Sequence, residues 1–512
     1  MDATDSSSTP AQSLPDAVER AGELVSQVAR VQPLWALLRV SDRARYMLAM
    51  AQAVIDELDQ LCEQIACEQR RPRTEVAILE LLAAVDALKW IGRAGGAVLG
   101  DRRVGVHRLL LPATRARLAY EPYGVVGVIG AGSAPFAQPL GQIAGALLAG
   151  NGVVYKPASR AQGAAERIAR LATRAGLPEG LVRILDGGAE AGLALAQAPI
   201  DKLMFTGSPA TGRRIAQACV AREVEVTVEL GGKDAMIVLA DANVRRAGAA
   251  ALWAGCAGAG QARGSVERIY AAPEAHDRLL AGLVERAQAL RVGEPRVDRL
   301  AQMGPLSSRR RLEHVEELVG EAVADGATLH CGGALGQQEY APAVLSGVTH
   351  EMRIMREQIG GPVLCVMRFD SVSGAIALAN DSPFGLGASV WSVDRYRALR
   401  IARLLDAGMV WVNDHLPGPM ISRGPWGATA GGGLGKALGQ AGLKACAQEK
   451  LIAWEPSRVG GLWWGPHDEL AGRAARTAAK LRSARETDRS RAWREGAVSL
   501  VRVGGRALRR GS

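Results

Sequence analysis

The segment at residues 254–271, AGCAGAGQARGSVERIYA, has the composition of a loop that presents one side chain for chemistry. A helical pattern runs into a glycine-rich stretch, and a strand pattern begins near Arg268. The middle of the loop holds Arg263. A guanidinium stays protonated at physiological pH and has no lone pair to offer, so covalent catalysis at this position is excluded.

Other residues suited to nucleophilic or metal chemistry are few. The cysteines are scattered, without a CxxC pair or a Cys/His grouping at zinc spacing, so we expect reduced thiols and no metal site. Cys256 precedes Arg263 by two predicted helical turns, on the order of 10 Å along the axis, and is interpreted as a buried small apolar residue. Ser265 lies closer but has no evident activating base, and it is interpreted as a hydroxyl at the start of the strand.

The overall composition is that of a globular protein, with 48% apolar and 22% charged residues in a length of 512 that allows two or three domains. The formal net charge is +10, of which residues 468–512 carry +7, from twelve basic against five acidic residues. We interpret this basic tail as a solvated or disordered appendage, with contact to nucleic acid or an anionic membrane as the alternative. The absence of a signal-peptide pattern and the cysteine usage predict a cytoplasmic protein.

The elements around the loop follow from apolar patterning. Residues 122–155 carry no charge and are long enough to cross a bilayer, but Gly, Pro and polar residues interrupt them throughout. They are therefore predicted as strand 124–129, loop 130–137, helix 138–149 and strand 152–155, and not as a membrane span. Buried strands that alternate with helices predict an α/β fold with parallel sheets.

Upstream of this run, residues 16–99 have helical periodicity. Pro72 interrupts the pattern, and Thr74 is predicted to cap the helix that follows. Residues 1–14 are predicted to be disordered. The sequence VHRLLLPATRARLAYEPYG predicts paired strands or an arm.

Seven segments resemble motifs of the aldehyde dehydrogenase superfamily, in the family's order and at its distances. These segments are GNGVVYKPAS (150–159), FTGSPATG (205–212), VELGGKDAMIVLADANV (228–244), GGPVLCV (360–366), NDSPFGLGASVWSVD (380–394), AGMVWVN (407–413) and GPWGATAGGGLGKALG (424–439). The resemblance implies a Rossmann-like cofactor domain, an α/β catalytic domain and a small β oligomerisation arm that gives a dimer or tetramer. The implied boundaries are 15–105 with 121–231 for the cofactor domain, 232–440 for the catalytic domain, 106–120 with 441–457 for the arm, and 458–512 for a basic extension.

The resemblance also implies a reaction, the NAD(P)-dependent oxidation of an aldehyde to a carboxylic acid through a cysteine thioester. Glu229 stands at the position of the general base. The family's cysteine lies 34 residues after this glutamate, where the present sequence has Arg263. Ser133 stands at the position of the side-chain amide that stabilises the oxyanion.

The implied cofactor contacts are mixed. Lys156, Gly207, Ser208 and Gly231 match the family's NAD(P)-binding motifs. The two carboxylates that grip the ribose hydroxyls are replaced, by Ser159 and Gln358 respectively, and the aromatic residue near the second is Gly360. We therefore expect NAD or NADP to bind weakly, and Arg160 beside the first replaced carboxylate suits the 2′-phosphate of NADP.

Three hypotheses follow. In the first, the chain is an inactive family member in which Arg263 pairs with Glu229 and takes this carboxylate out of use as a base. In the second, it is an active oxidoreductase in which Glu229 works with Arg263 as a clamp for a carboxylated substrate. In the third, it is a structural partner subunit. The expected partners are an aldehyde or carboxylate ligand and further copies of the chain, and no nucleic acid is expected.

Overall fold

The computed structural model describes residues 14–509 except 108–110, 112, 417, 419, 430, 457–460, 462, 465 and 466. The chain divides into two compact units: unit 1 holds the residues up to Leu99 and Pro122–Gln448, and unit 2 holds Gly100–Glu121 and the residues from Glu449 onward. Within the described residues, no helix is long and apolar enough to cross a membrane. The predicted disordered segment lies outside the described residues, apart from Leu14, which begins the first helix.

Helices and strands alternate through most of the chain. The helices are α1 (Leu14–Ala36), α2 (Val40–Asp56), α3 (Leu58–Gln69), α4 (Arg73–Val76), α5 (Ala83–Val98), α6 (Ala137–Ala149), α7 (Gln162–Arg174), α8 (Ala189–Gln197), α9 (Pro209–Val220), α10 (Val244–Cys256), α11 (Pro273–Ala289), α12 (Arg309–Ala324), α13 (Arg353–Arg356), α14 (Val372–Asn380), α15 (Arg395–Ala402), α16 (Gly439–Lys444), α17 (Glu469–Lys480) and α18 (Glu486–Arg509). The strands are β1 (Arg102–Val104), β2 (Arg115–Pro122), β3 (Val125–Ile129), β4 (Gly152–Lys156), β5 (Val182–Ile184), β6 (Lys202–Thr206), β7 (Glu225–Glu229), β8 (Asp234–Val238), β9 (Val266–Ala271), β10 (Thr328–Ala334), β11 (Tyr340–Ser346), β12 (Val363–Arg368), β13 (Gly387–Trp391), β14 (Met409–Val412), β15 (Gly433–Leu434) and β16 (Ala447–Trp454).

The first sheet of unit 1 has the strand order β15-β7-β6-β3-β4-β5. All of its neighbouring strands are parallel except β15, which pairs antiparallel with β7. Every residue of β3 and β4 is buried, as expected for strands that are covered on both faces. The uncharged run 122–155 therefore forms the predicted strand–helix–strand unit inside this sheet.

The second sheet of unit 1 has the order β10-β11-β12-β9-β8-β13-β14. It is parallel apart from the antiparallel β10–β11 pair. Its strands β8 and β9 are buried along their whole length and form the centre of the larger hydrophobic core. Both sheets thus have the α/β architecture that the alternation of strands and helices predicts.

Unit 2 contains a three-stranded sheet with the order β1-β2-β16, together with α17 and α18. Strand β2 lies in the segment for which the sequence predicts paired strands or an arm, and it pairs antiparallel with β1, which precedes that segment. The described residues of the basic tail form two helices that pack on each other, so the tail is an ordered appendage, and most of its side chains are solvated. Small residues allow this packing: a Cβ on Gly496 would overlap Thr477 of the other helix.

The predicted cap at Thr74 is also wrong. Helix α4 begins at Arg73, after Pro72, so Thr74 lies inside it. Arg71 pairs with Glu75, four residues later, across the start of this helix. One further difference concerns β15, which belongs to the predicted catalytic segment but completes the first sheet instead.

Candidate active site

Arg263 lies in the loop that joins α10 to β9. The loop needs glycine for its shape, because Gly258, Ala259 and Gly260 all have left-handed backbone conformations. A Cβ on Gly260 would overlap the backbone at Gly361, so the loop packs directly on that segment. These constraints explain the glycine-rich sequence and fix where the loop presents Arg263.

The guanidinium of Arg263 points inward to the end of β7. Its Nη1 donates to Oε2 of Glu229 at 2.8 Å, and the two side chains are 9% and 1% exposed. Its Nε and Nη2 both donate to the carbonyl of Leu230, at 3.2 and 2.8 Å. Arg263 and Glu229 thus form a buried ion pair at the two positions where the resemblance implies a nucleophile and a general base.

Glu229 has further donors on α6. Gln142 donates to its Oε1 at 2.6 Å and Gln138 donates to its Oε2 at 3.1 Å. Both amide nitrogens also contact the hydroxyl of Thr206, at 3.2 and 2.8 Å. The carboxylate thus lies among one guanidinium and two amide groups, all of which donate to it.

The sequence reasoning missed these two glutamines, although a signal was present. They stand four residues apart on the helix predicted within an otherwise apolar run, so they share one face. Two amide side chains on one face of a buried helix need polar partners. The sequence therefore predicts that the two glutamines have polar partners, but it does not identify Glu229 as that partner.

A cavity of about 490 Å³ opens beside Arg263 within unit 1. Its walls include the loops after β3 and β6, from which the chain leaves toward opposite edges of the first sheet. Such a switch point is where α/β sheets bind ligands. Seven of the nine residues predicted for the site line this cavity: Ser133, Ser159, Gly207, Ser208, Gly231, Arg263 and Gln358.

The other two predicted residues lie elsewhere. Glu229 lines a second, much smaller cavity of about 10 Å³, together with Gln138, Gln142 and Trp426. Lys156 is buried at the end of β4 and is not among the residues lining the large cavity. Arg263 therefore lines the large cavity with one part of its surface and contacts Glu229 with another.

The wall of the large cavity carries several features of an anion site. Gly207 and Ser208 precede α9, and the Ser208 hydroxyl accepts from the backbone N–H of Thr211 at 3.4 Å. The amino terminus of a helix attracts phosphate groups. On another wall, Arg311 approaches Gly360 so closely that a Cβ there would lie 3.1 Å from its Nη1.

A carboxylate that the sequence reasoning did not consider lines the cavity near Ser159. Glu68 of α3 accepts from the backbone N–H of Gly163 at 2.8 Å and from Arg167 at 2.7 Å. It thereby caps the first turn of α7. Glu68 supplies a negative charge beside the position where the resemblance expects a carboxylate and the sequence has Ser159.

A buried cluster of charged side chains contacts the backbone of two segments of the site. Arg71 pairs with Glu75, and its Nη1 donates to Glu80 at 2.9 Å. Glu75 accepts from the backbone N–H of Gly258 at 3.1 Å, while Glu80 accepts from two backbone N–H groups at the start of α6. Burial raises the pKa of Glu80, and Arg71 opposes this shift. The cluster ties the Arg263 loop and α6 to the same helical segment, which local sequence patterns could not predict.

The cysteines and Ser265, the other candidate nucleophiles of the sequence, lie away from the large cavity. None of the seven cysteines, all of which the structure describes, lines the large cavity. Cys256 is buried at the end of α10, and burial raises the pKa of its thiol, which keeps it protonated. The Ser265 hydroxyl is buried and has no hydrogen-bond partner among the described residues, so no base activates it.

A lysine-to-methionine change at Lys156 is expected to stabilise the fold at pH 7. Burial lowers the pKa of Lys156, and the charge of Glu190 opposes this shift. The unfolded chain therefore binds the proton more tightly, so the charged lysine costs stability below its folded-state pKa, and stability rises with pH toward the ordinary lysine value. Urea unfolding at pH 7 and pH 10 should show a larger gain for Lys156→Met at pH 7. The exposed Lys480→Met serves as the control, and an equal gain at both pH values would contradict the expectation.

Comparison with known proteins gives a consistent result. The model of the aldehyde dehydrogenase family matches residues 7–452. A 4,4′-diapolycopene aldehyde oxidase from Methylomonas sp is 36% identical over 81% of this chain and 78% of that protein, and a betaine aldehyde dehydrogenase from Sinorhizobium fredii is 32% identical over 86% and 89%. The crystal structure of an aldehyde dehydrogenase from Brucella melitensis biovar abortus superimposes with a TM-score of 0.82 at 28% identity, covering 88% of this chain and 91% of that one.

Proposed function

The chain belongs to the aldehyde dehydrogenase family, and from this premise we propose that it is a member that has lost the aldehyde-oxidising step and keeps a nucleotide site. Family members oxidise aldehydes with NAD(P). The observation that carries the proposal is the buried pair between Arg263 and Glu229. Arg263 stands in place of the nucleophile, and its guanidinium occupies the carboxylate that would act as the base.

Each requirement of the family reaction can be checked against the residues present. Attack on a carbonyl carbon needs a lone pair, and a guanidinium offers none. Hydrolysis of an acyl intermediate needs a carboxylate that is free to take a proton from water, but Glu229 accepts from Arg263 and from two glutamines. An oxyanion needs a donor that reaches it, and Ser133 offers a shorter side chain than the amide that the resemblance implies.

The small volume of the cavity next to Glu229 supports the same proposal. The small cavity on this carboxylate measures about 10 Å³, and Ala83, Ala87, Ala137, Ala437 and Leu438 form its apolar part. That volume suffices for about one water molecule. With Arg263 in place, an aldehyde with a carbon skeleton does not fit there.

The large cavity fits a dinucleotide by volume and by charge. Its 490 Å³ lies within the ordinary range of ligand sites. Gly207 and Ser208 would hold the pyrophosphate at the start of α9, and Ser159 with Arg160 would hold the adenosine ribose. When bound, NAD(P)⁺ supplies a hydride acceptor. We propose NADP as the preferred form because Arg160 suits a 2′-phosphate and Ser159 does not repel one.

The clamp hypothesis finds less support. A clamp for a carboxylated substrate needs a guanidinium whose donors face the ligand. Three donor atoms of Arg263 instead contact Glu229 and the carbonyl of Leu230. The role as a partner subunit is compatible with the proposal, and a dimer or tetramer and a cytoplasmic location stay predictions.

The test of the proposed function is NAD(P)H formation over a broad panel of aldehydes, with saturating NAD⁺ and NADP⁺ in parallel. We expect no turnover above background. A rate of about 1 s⁻¹ or more, ordinary for enzymes, would overturn the proposal. Binding of either nucleotide, followed by calorimetric titration, tests the retained site independently of catalysis.

An arginine-to-alanine change at Arg160 is expected to weaken NADP⁺ binding by about tenfold and to leave NAD⁺ binding nearly unchanged. A charge-assisted hydrogen bond to the 2′-phosphate has this magnitude, and NAD⁺ lacks that group. Arg170 on α7 is exposed and does not line the cavity, so Arg170→Ala is the matched control. Calorimetric titration with both nucleotides measures the effect. Equal losses for NAD⁺ and NADP⁺ would contradict the assignment of Arg160 to the phosphate.

A further inference from the structure

The two helices at the end of unit 2 pack through one face of each. Ala474 and Ala478 of α17 are buried, as are Ala492, Val503 and Ala507 of α18. This face gives the pair its own small apolar core. The remaining face of α18 does not take part in that contact.

That second face carries large apolar side chains. Trp493, Val498 and Val501 are 61%, 63% and 73% exposed. With 3.6 residues per turn they span roughly 140° of the circumference of α18, on the half that faces away from Ala492 and Val503. Contacts within the helix pair leave these three side chains in water, which costs free energy unless something covers them.

Arginines stand among these apolar side chains. Arg491, Arg494 and Arg502 are exposed on the same side of α18. Among the described residues, the ion pairs of the tail use Asp468 with Arg506 and Glu469 with Arg473, and no carboxylate pairs with these three arginines. The tail from 468 to 512 has a net charge of +7.

We propose that this outer face of α18, formed by Trp493, Val498, Val501, Arg491, Arg494 and Arg502, binds the surface of an anionic lipid bilayer. Helices that lie in the interface combine an apolar side containing Trp with arginines at the headgroups. The positive charge complements anionic headgroups, and the apolar side chains enter the acyl boundary. A nucleic acid would also attract the arginines but gains little from the valines, which is why we infer lipid.

The test is flotation of the full-length chain with vesicles of phosphatidylcholine alone or with roughly a third phosphatidylglycerol. We expect binding to the anionic vesicles only, and release at high salt because surface charges are screened. The R491E/R494E/R502E variant should lose roughly a hundredfold or more in affinity, at about fivefold for each removed arginine. Trp493→Ser with Val501→Ser should weaken binding while leaving its salt dependence in place. Val393→Ser, which removes an exposed valine of unit 1, is the matched control.

Several outcomes would overturn the proposal. Equal binding to neutral vesicles, or no binding to anionic ones, contradicts the charge argument. Retention of the chain by duplex DNA but not by vesicles assigns the arginines to nucleic acid instead. If the W493S/V501S variant dissociates an oligomer in analytical ultracentrifugation and does not change vesicle binding, a second copy of the chain covers this face.

Discussion

An Arg263→Cys variant is expected to oxidise aldehydes at a measurable rate, whereas the natural chain forms no product. The change places a thiol on the loop position that lines the large cavity and releases Glu229 from its guanidinium partner. A thiolate is the nucleophile that the family reaction needs, and the carboxylate then keeps only its two glutamine donors, so it is freer to act as a base. The natural chain should fall short of ordinary enzyme turnover by roughly six orders of magnitude, the scale of a removed nucleophile.

The gain in the single variant should be small, because Ser133 stands where the resemblance implies a longer amide donor for the oxyanion. Adding Ser133→Asn supplies a side-chain amide at the predicted position, and one such donor is worth about 10²–10³-fold. The double variant R263C/S133N should therefore exceed R263C by about this factor. NAD(P)H formation with small unbranched aldehydes measures it, because the space beside Glu229 is narrow.

Arg263→Ala is the matched control, since it breaks the same ion pair without supplying a thiol. Alkylation by iodoacetamide gives a readout that does not depend on turnover: R263C should take up one label more than the natural chain and the alanine variant, in which the exposed Cys67 also reacts. Activity of the alanine variant equal to that of R263C would show that the thiol contributes nothing. A natural chain that already turns over at ordinary rates would remove the premise.

The second expected result concerns stability. Arg263→Met should lower the free energy of unfolding by about 3 kcal/mol, at the lower end of the cost of leaving one charge of a buried pair alone. The lower end applies because Gln138 and Gln142 still donate to Glu229. R263C carries a similar cost, so its activity is best measured well below its unfolding temperature.

A double-mutant cycle isolates the interaction free energy between Arg263 and Glu229 from their contacts with other residues. The R263M/E229Q variant removes both charges, and its loss should be smaller than that of R263M alone, since no uncompensated carboxylate remains. Urea unfolding of all four chains gives the coupling free energy. The exposed Arg309→Met is the control. Additive losses would mean that the contact contributes no coupling and that Arg263 is not a structural residue.

The amino-acid sequence was sufficient to predict the fold class. Buried apolar runs such as β3 and β4 alternate with helices, and both signals depend only on neighbouring residues. Covalent catalysis by Arg263 can also be excluded from the sequence alone. A guanidinium stays protonated and has no lone pair to offer in any protein environment. Thr74 lies inside α4 and not at its cap, and the packing of α17 on α18 depends on contacts between two helices that local patterns do not describe.

Only the tertiary structure decided what Arg263 does. Its contact with Glu229 joins residues 34 positions apart, and the glutamines that complete the site come from nearly 90 positions away. The cluster of Arg71 with Glu75 and Glu80 likewise acquires its role from burial, since the same residues on a surface would be solvated. Residue type determines whether a side chain can react. The free energy of burying a charge requires that a buried guanidinium has a partner, and the packing of the chain determines which residue that partner is.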